Sequence, residues 1–289
     1  MITLKARAKV NLTLEVLGPR EDGYHDIVSI IQTIDLADTL TLEAAESLTL
    51  ECDDPSIESS DNLVMKAASM LNETAGTMHG ARILLNKQIP IASGLGGGSS
   101  DAAATLTGLN NLWELGLSVD ELMPIAARVG SDVPFFLHGG TAMVHGRGEA
   151  VRPLPPADLP HVIVLAPEFE VPNKTATVFG TLCPAGFTRG ALTRKLEARI
   201  RGGGGVPPQL LFNGFDSIAF DAFPDLQEYW DTLYSLGARE LHLAGAGPSI
   251  FAPVSHREVG TTLHLLLTRR YGWRAYLVPL WQPADGDRP

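Results

Sequence analysis

Four glycines, Gly94, Gly96, Gly97 and Gly98, run straight into Ser99, Ser100 and Asp101 within PIASGLGGGSSDAAA, residues 90–104. Lacking a Cβ, such a run takes up positive φ and lets a bound group approach the backbone closely. Ser, Ser and Asp are helix-start residue types, and the Ala- and Leu-rich run through Leu112 predicts a helix opening at Ser99. Unpartnered amides and the positive end of a helix dipole then converge on one point, a chemistry suited to holding phosphate. Two better-known glycine loops do not fit. No Lys follows Gly98, which excludes a Walker A loop, and a dinucleotide-type G-x-G-x-x-G counted from Gly94 meets Ser99 where its last glycine belongs. A plain flexible turn before a buried helix is the remaining alternative, and it needs no ligand.

The surrounding elements must carry this loop. Alternating apolar residues predict two β segments in ITLKARA and VNLTLEVLG, with Lys9 and Asn11 between and within them. The turn-rich stretch Gly18–His25 leads to a strand IVSIIQTID, and DTLTLEA with SLTLEC reads as an antiparallel pair. Ser60–Gly76 is an amphipathic helix with Leu63, Ala67, Met70 and Leu71 inward, and ARILLNKQIP is a strand ending at Pro90. Leu117–Gly130 is a helix with Ser118 and Glu121 in capping-box spacing, and Thr141–His145 has strand character.

Pro153, Pro155, Pro156 and Pro160 mark a domain boundary, giving domains 1–155 and 156–289. The second half reads as a strand HVIVLAP, helices at Lys174–Leu182 and Thr188–Ile200, a mobile Gly202–Gln209 loop, and helices at Asp216–Ala222 and Leu226–Leu236. A strand, glycine turn and strand over Glu240–Val254, a helix at His256–Arg270 and the strand WRAYLVPL follow, with a disordered tail from Gln282.

Bulk properties narrow the class. The 289 residues, 45% of them hydrophobic, suffice for a real core. Thirty-three acidic against 22 basic residues leave a net charge of −11, which disfavours a nucleic-acid binder and requires any anionic ligand to be held by local cations and amides. Cys52 and Cys183 are too few for a disulfide framework or a cysteine metal site. No signal core and no 18-residue apolar run occur, so the sequence reads as cytoplasmic with no membrane partner.

Four blocks together, AKVNLTLEVLGPREDGYH, PIASGLGGGSSDAAA, SDVPFFLHGGTAMVHGRGE and LAGAGPSIFA, resemble the GHMP kinase superfamily in the right order across nearly the whole chain. The DGYH and SDVPFF stretches resemble its branch that acts on a cytidine diphosphate-linked methylerythritol in the non-mevalonate route to isoprenoids. The resemblance implies an α+β fold of two domains. The first would be ribosomal-protein-S5-like, and the second an α/β sandwich with an antiparallel sheet. It implies ATP as co-substrate, giving its γ-phosphoryl group to the 2-hydroxyl of 4-(cytidine 5′-diphospho)-2-C-methyl-D-erythritol, with Mg²⁺ expected and its ligands unknown. Oligomeric state stays open between monomer and homodimer.

Phosphoryl transfer needs an oriented hydroxyl, neutralised phosphate oxygens and a group for the hydroxyl proton. With the resemblance, Asp132 takes that last role, beside Val133 and Pro134, which restrict the local backbone. Read alone, it is a helix cap or turn residue. Lys9 is set against Asp132 and the attacking oxygen, and Asn11 lies on the same strand face, in reach of the alcohol. The resemblance implies that Tyr24 stacks on cytosine and that His25, otherwise simply a turn residue, reads its edge, with Phe179 as the second stacking face unless it is simply core. The resemblance implies that Asn62, Leu63 and Lys87, the last otherwise an ordinary exposed lysine, lie near adenine or ribose, and Pro90, Gly94, Leu95, Gly96, Gly97, Gly98, Ser99 and Ser100 around the ATP phosphates, with Ser99 or Ser100 reaching phosphate or Mg²⁺. Gly245 and Gly247 approach the substrate's phosphates. Ala244 and Ala246 stand where family members often carry hydroxyls, leaving backbone contacts only. Asp101 caps its helix in this reading. A homoserine- or mevalonate-type kinase and a non-catalytic ligand-binding member are the alternatives.

Overall fold

The computed structural model describes residues 1–54, 57, 62–169 and 174–283. Its first strand, β1 (Ile2–Pro19), is one 18-residue strand where the apolar pattern suggests two. It pairs antiparallel with β2 (His25–Ala45), another fusion of two expected segments. The pattern is broken because register shifts fall between Arg7 and Lys9, Asn11 and Thr13, and Val16 and Gly18. Bulges bend and twist a strand without ending it. Two of them bracket Lys9–Asn11.

The expected pairing of the second half of β2 with β3 (Leu48–Cys52) does not occur. β4 (Gly80–Asn86) lies between them, antiparallel to β2 and parallel to β3. Gly80 makes room for this. A Cβ there would sit 2.3 Å from the Ala45 carbonyl oxygen and 2.5 Å from the backbone at Glu46 and Ser47, so only glycine passes beneath the β2–β3 turn. The strand also stops at Asn86, short of Pro90. Asp53 accepts from the Lys87 amide at 2.8 Å and Asp38 from the Ile89 amide at 2.8 Å, drawing the backbone off the ladder.

Helix α1 (Leu63–Ala75) is capped by Asn62, whose side chain accepts from Val64 N at 2.8 Å, and it ends on Gly76 in the left-handed region. Ser60 and Asp61, expected in this helix, lie outside the described residues. Val64, Ala67, Ala68 and Leu71 form its buried face, with Leu63 and Met70 at the margin. Helix α2 (Gly97–Leu112) starts two residues earlier than Ser99, with Gly96 in the left-handed cap position. Helix α3 (Val119–Val129) has the full Ser118/Glu121 capping box, and α4 (Val133–His138) follows directly. These helices pack on one sheet face through Leu71, Leu106, Leu109 and Ile125 against Leu40, Leu42, Ile83 and Leu85. β5 (Thr141–Gly146) and β6 (Ala150–Pro153) extend the sheet from β2.

The proline segment 154–160 leads to β7 (His161–Ala166), centre of a second, antiparallel sheet. Helices α5 (Lys174–Thr181) and α6 (Ala191–Arg201), strand β8 (Phe212–Asn213), and helices α7 (Ala219–Ala222) and α8 (Leu226–Ser235) follow. Strand β9 (His242–Leu243), β10 (Ile250–Val254), helix α9 (Arg257–Leu265) with a π turn over Leu266–Arg270, and β11 (Arg274–Pro279) complete the order. The second sheet runs β11-β7-β10-β9, while β8 joins the first sheet, parallel to β1. A buried cluster of Ala8, Val10, Leu12, Leu95, Val162, Val164, Ala244 and Phe251 fills the space between the sheets, so residues from both halves share one core.

Two expectations of mobility meet packed structure instead. Val206 is buried and its amide donates to the Asp158 carbonyl at 3.1 Å, while Arg199 Nε donates to the Gly205 carbonyl at 2.7 Å, which holds the 202–209 loop. At the tail, Trp281 N donates to Thr33 O at 2.8 Å and Gln282 Nε2 to Thr141 Oγ1 at 2.7 Å. The rest of the tail, 284–289, lies outside the described residues.

Candidate active site

Two glycine turns meet. Gly94 (φ +87°) lies so close to the 244–247 turn that a Cβ on it would be 1.9 Å from the Ala244 carbonyl oxygen and 2.8 Å from that of Gly247. Ser249 N donates to Ser93 O at 3.0 Å, and Ser93 Oγ to Pro90 O at 2.6 Å, tying the same junction. Gly94 is therefore required by the second half of the chain itself, a reason its sequence context does not reveal. Leu95 is wholly buried, and its carbonyl accepts from Lys9 N at 2.9 Å. Burial of such a side chain contributes roughly 1.5–3 kcal/mol. Leu95 anchors the loop and turns no side chain toward a nucleotide.

Beyond Gly96 the first amide partnered within the helix is that of Ser100, which donates to Gly96 O at 2.9 Å. The amides of Gly97, Gly98 and Ser99 precede it and face forward, as the first turn of any helix leaves them. Gly98 is exposed, and the space at its Cβ position is open to 3.8 Å, where Leu63 Cδ1 stands. This places Leu63 and Asn62 beside the loop. Ser100 is buried and lines a cavity of about 360 Å³ with Ala103, Phe136 and Trp281, so Ser99 is the hydroxyl nearer solvent.

Beneath the loop, Lys87 donates to Asp101 at 2.7 Å and to Asp38, and its Nζ is 3.3 Å from where a Cβ on Gly97 would sit. Asp101 is thus no cap. It is buried in the second turn of α2 as a partner of Lys87. Burial acts to lower the Lys87 pKa, but the Asp101 and Asp38 charges outweigh it and the net shift is upward. Burial raises Asp101, against the pull of Lys87. The ammonium expected near adenine or ribose is committed to two carboxylates.

Lys9, Asn11 and Asp132 are brought together. Lys9 is 3% exposed, and its ammonium donates to Asn11 Oδ1 at 2.7 Å and lies 3.7 Å from Asp132 Oδ2. Asn11 Nδ2 donates in turn to Ser29 Oγ at 2.8 Å, fixing the amide's orientation. Asp132 occupies the N-cap position of α4 yet makes no capping bond, and its side chain keeps about a third of its surface, so the carboxylate is open to solvent as well as to Lys9. Burial pushes the Lys9 ammonium below the usual lysine range, with Asp132 pulling it back up. Gly245 (φ +57°) packs on this group. A Cβ there would be 2.7 Å from Lys9 Nζ and 3.5 Å from Asn11 Oδ1. Asn213 Nδ2 donates to the carbonyls of Leu243 and Gly245, each at 2.8 Å, and holds that turn.

Of the three residues expected around cytosine, His25 and Phe179 meet and Tyr24 does not join them, and Phe179 also packs against the core. His25 stacks on Phe179 with ring centroids 5.0 Å apart, and Phe179 sets its edge on Phe215 at 4.8 Å. Tyr24 stands apart, 51% exposed, with Arg147 over its ring at 4.8 Å. Sequence reasoning missed Arg147 and also Lys174, whose ammonium donates to the Gly247 carbonyl. Burial, reinforced by Lys9 and opposed by Asp132, brings Lys174 down to about 8. A lone lysine at a helix start carries no signal of this in the sequence. Among the described residues no group of three or more His, Cys, Asp or Glu could hold a metal ion, and no helix is long and apolar enough to cross a membrane.

Comparison with known proteins places this geometry. Residues 62–140 match the GHMP kinases N terminal domain. A 4-diphosphocytidyl-2-C-methyl-D-erythritol kinase of Dehalococcoides mccartyi is 42% identical over 286 residues, 99% of this chain and 100% of that protein. The protein of the same name from Symbiobacterium thermophilum is 42% identical over 266 residues, 90% of this chain and 93% of its own. A crystal structure of 4-(cytidine 5′-diphospho)-2C-methyl-D-erythritol kinase superposes with a TM-score of 0.81 at 34% identity, covering 96% of this chain and 99% of that one. A homoserine kinase from Cytophaga hutchinsonii, at TM-score 0.74 and 20% identity over 97% of this chain and 95% of that one, shares the fold.

Proposed function

We infer the reaction from the premise that the chain belongs to the 4-diphosphocytidyl-2-C-methyl-D-erythritol kinase family of GHMP kinases. It transfers the γ-phosphoryl group of ATP to the 2-hydroxyl of 4-(cytidine 5′-diphospho)-2-C-methyl-D-erythritol. A new O–P bond forms to the acceptor oxygen, the bond between the γ-phosphorus and its bridging oxygen breaks, and ADP leaves. The observation that carries this reading is the buried Lys9 ammonium 3.7 Å from Asp132, flanked by both glycine turns.

Asp132 orients the acceptor hydroxyl and receives its proton. Lys9 stabilises negative charge on the attacking oxygen, and Asn11, locked by Ser29, presents its amide to the same alcohol. In a loose transition state the proton moves late, so a carboxylate beside an ammonium serves mainly to position the nucleophile. The amides of Gly97, Gly98 and Ser99 face the ATP phosphates, with Asn62 and Leu63 toward the base. His25 and Phe179 form one wall of the cytosine pocket and Tyr24 the other.

Mg²⁺ in kinases takes most of its ligands from phosphate oxygens and water and only one or two from protein. Ser99 at the mouth of the loop fits that need, whereas Asp101 is occupied by Lys87. The ion would neutralise charge on the β- and γ-phosphates. The two halves, 1–155 and 156–289, act as the ATP-binding and C-terminal domains of this site.

The test offers ATP with the cytidine diphosphate alcohol, homoserine and mevalonate in turn, and measures ADP release. Turnover with the first alone is the expected result. Turnover with homoserine or mevalonate and none with the cytidine substrate reassigns the acceptor, and tight binding of ATP and substrate without turnover makes the chain a non-catalytic binder.

A further inference from the structure

Lys174 opens helix α5, and Phe179 lies five residues on along the same helix. At about 1.5 Å rise per residue these two are separated by roughly 7.5 Å along the axis. One end of the helix thus meets His25 through Phe179, and the other meets the reaction centre, where the Lys174 ammonium donates to the Gly247 carbonyl and feels the charges of Lys9 and Asp132. The two residues lie on different sides of α5, so what links them is the space at its two ends: a nucleotide with its base at the Phe179 end would have its phosphates toward the Gly247 turn, where the Lys174 ammonium sits. An ammonium has three N–H donors, and the Gly247 carbonyl takes one. In a chain of net charge −11, a diphosphate needs such a local cation.

Given the acceptor proposed above, on which this step rests, we propose that Lys174 grips the diphosphate that joins the acceptor's cytidine to its alcohol. The charged groups that face it are Lys9 from β1 and Asp132 before α4. Lys9 is already engaged with Asn11 and Asp132, and Arg147 with Glu149 and the Tyr24 ring, whereas the Lys174 ammonium at the Gly247 turn has donors left for a diphosphate. Its lowered proton affinity supports this, since incoming phosphates restore a favourable environment for the ammonium.

Calorimetric titration of the full chain with cytidine and with cytidine 5′-diphosphate, without ATP, separates base recognition from phosphate recognition. The wild type should bind the diphosphate at least roughly tenfold more tightly, as a charge-assisted contact gives. Lys174→Met should reduce that preference to within roughly threefold while cytidine affinity stays as it was, and Lys174→Arg should retain it. The wild-type preference should fall as pH rises through about 8, whereas that of Lys174→Arg should hold. A Lys174→Met protein that keeps the preference overturns the inference. So does one that loses cytidine and diphosphate affinity equally, because Lys174 then only braces the 244–247 turn. A wild type that binds both probes equally sinks the role of Lys174 alone, and one that binds neither sinks the acceptor assignment with it.

Discussion

Alanine at Gly98 and alanine at Gly94 should fail in opposite ways. A methyl at Gly98 meets nothing nearer than Leu63 Cδ1 at 3.8 Å, and it sits in the first turn of α2, where replacing glycine gains roughly 0.5–1 kcal/mol of stability. That methyl also stands beside the forward-facing amides, where a phosphate would come. Loss of one charge-assisted contact there costs roughly 1.5–3 kcal/mol, so the KM for ATP should rise at least roughly tenfold while the melting temperature does not fall.

At Gly94 a Cβ would lie 1.9 Å from the Ala244 oxygen, against a usual carbon–oxygen contact of roughly 3.3 Å, so the two turns must part by more than an ångström. The left-handed backbone adds roughly 1–2 kcal/mol. Misplacement on this scale costs about 100-fold in rate, so Gly94→Ala should lose that much in kcat/KM and melt lower. Thermal melts and steady-state kinetics with ATP varied read both variants. An unchanged ATP KM in Gly98→Ala would refute the phosphate cradle, and a Gly94→Ala protein as stable and active as wild type would refute the interlock.

Asp132→Asn should lower kcat by roughly 10²–10⁴-fold with ATP affinity nearly unchanged, because the group acts on the acceptor hydroxyl; kcat close to wild type removes it from the mechanism. Tyr24→Ala should raise the KM for the cytidine substrate by the equivalent of about 1–3 kcal/mol of lost stacking, and an unchanged KM removes Tyr24 from the base pocket. Lys87→Met leaves Asp38 and Asp101 buried without their cation, a loss of roughly 3–5 kcal/mol readable in urea unfolding. Because folding raises the Lys87 pKa above its usual 10.5, the wild-type contribution is fully present below that pH and is lost as pH rises through the raised value, and a stability gap between wild type and Lys87→Met that widens above pH 10.5 contradicts this assignment.

What could be read from the sequence was what local chemistry determines. The Ser118/Glu121 capping box, the Gly76 stop of α1 and the presence of a helix after the glycine run, though begun at Gly97 and not Ser99, follow from residues within a few positions of one another. The grouping of Lys9 with Asn11 was legible from strand alternation, but their meeting with Asp132 depended on the family resemblance, since no local rule brings β1 to the start of α4. Lys174 and Arg147 stayed hidden because each is an ordinary basic residue until tertiary structure sets it against Gly247 or Tyr24. The pairing of the second half of β2 with β3 was misread because two neighbouring strand segments favour a hairpin unless a third can enter, and Gly80 lets β4 enter.

The interlocked turns bear on why the reaction centre is built from both halves. Gly94 leaves no room for a Cβ against Ala244 and Gly247, Gly245 leaves none against Lys9, and Lys174 donates to Gly247, so the two glycine turns and these lysines pack on one another. Lys9 is stiffened further by its own amide, bonded to Leu95 of the phosphate loop. A displacement of the phosphate loop is therefore transmitted to the Lys9 backbone through one hydrogen bond, and to its ammonium through Gly245. If ATP binds at the loop and the acceptor at Asp132, as proposed, both would lean on these same contacts, and loosening either glycine turn should disturb both.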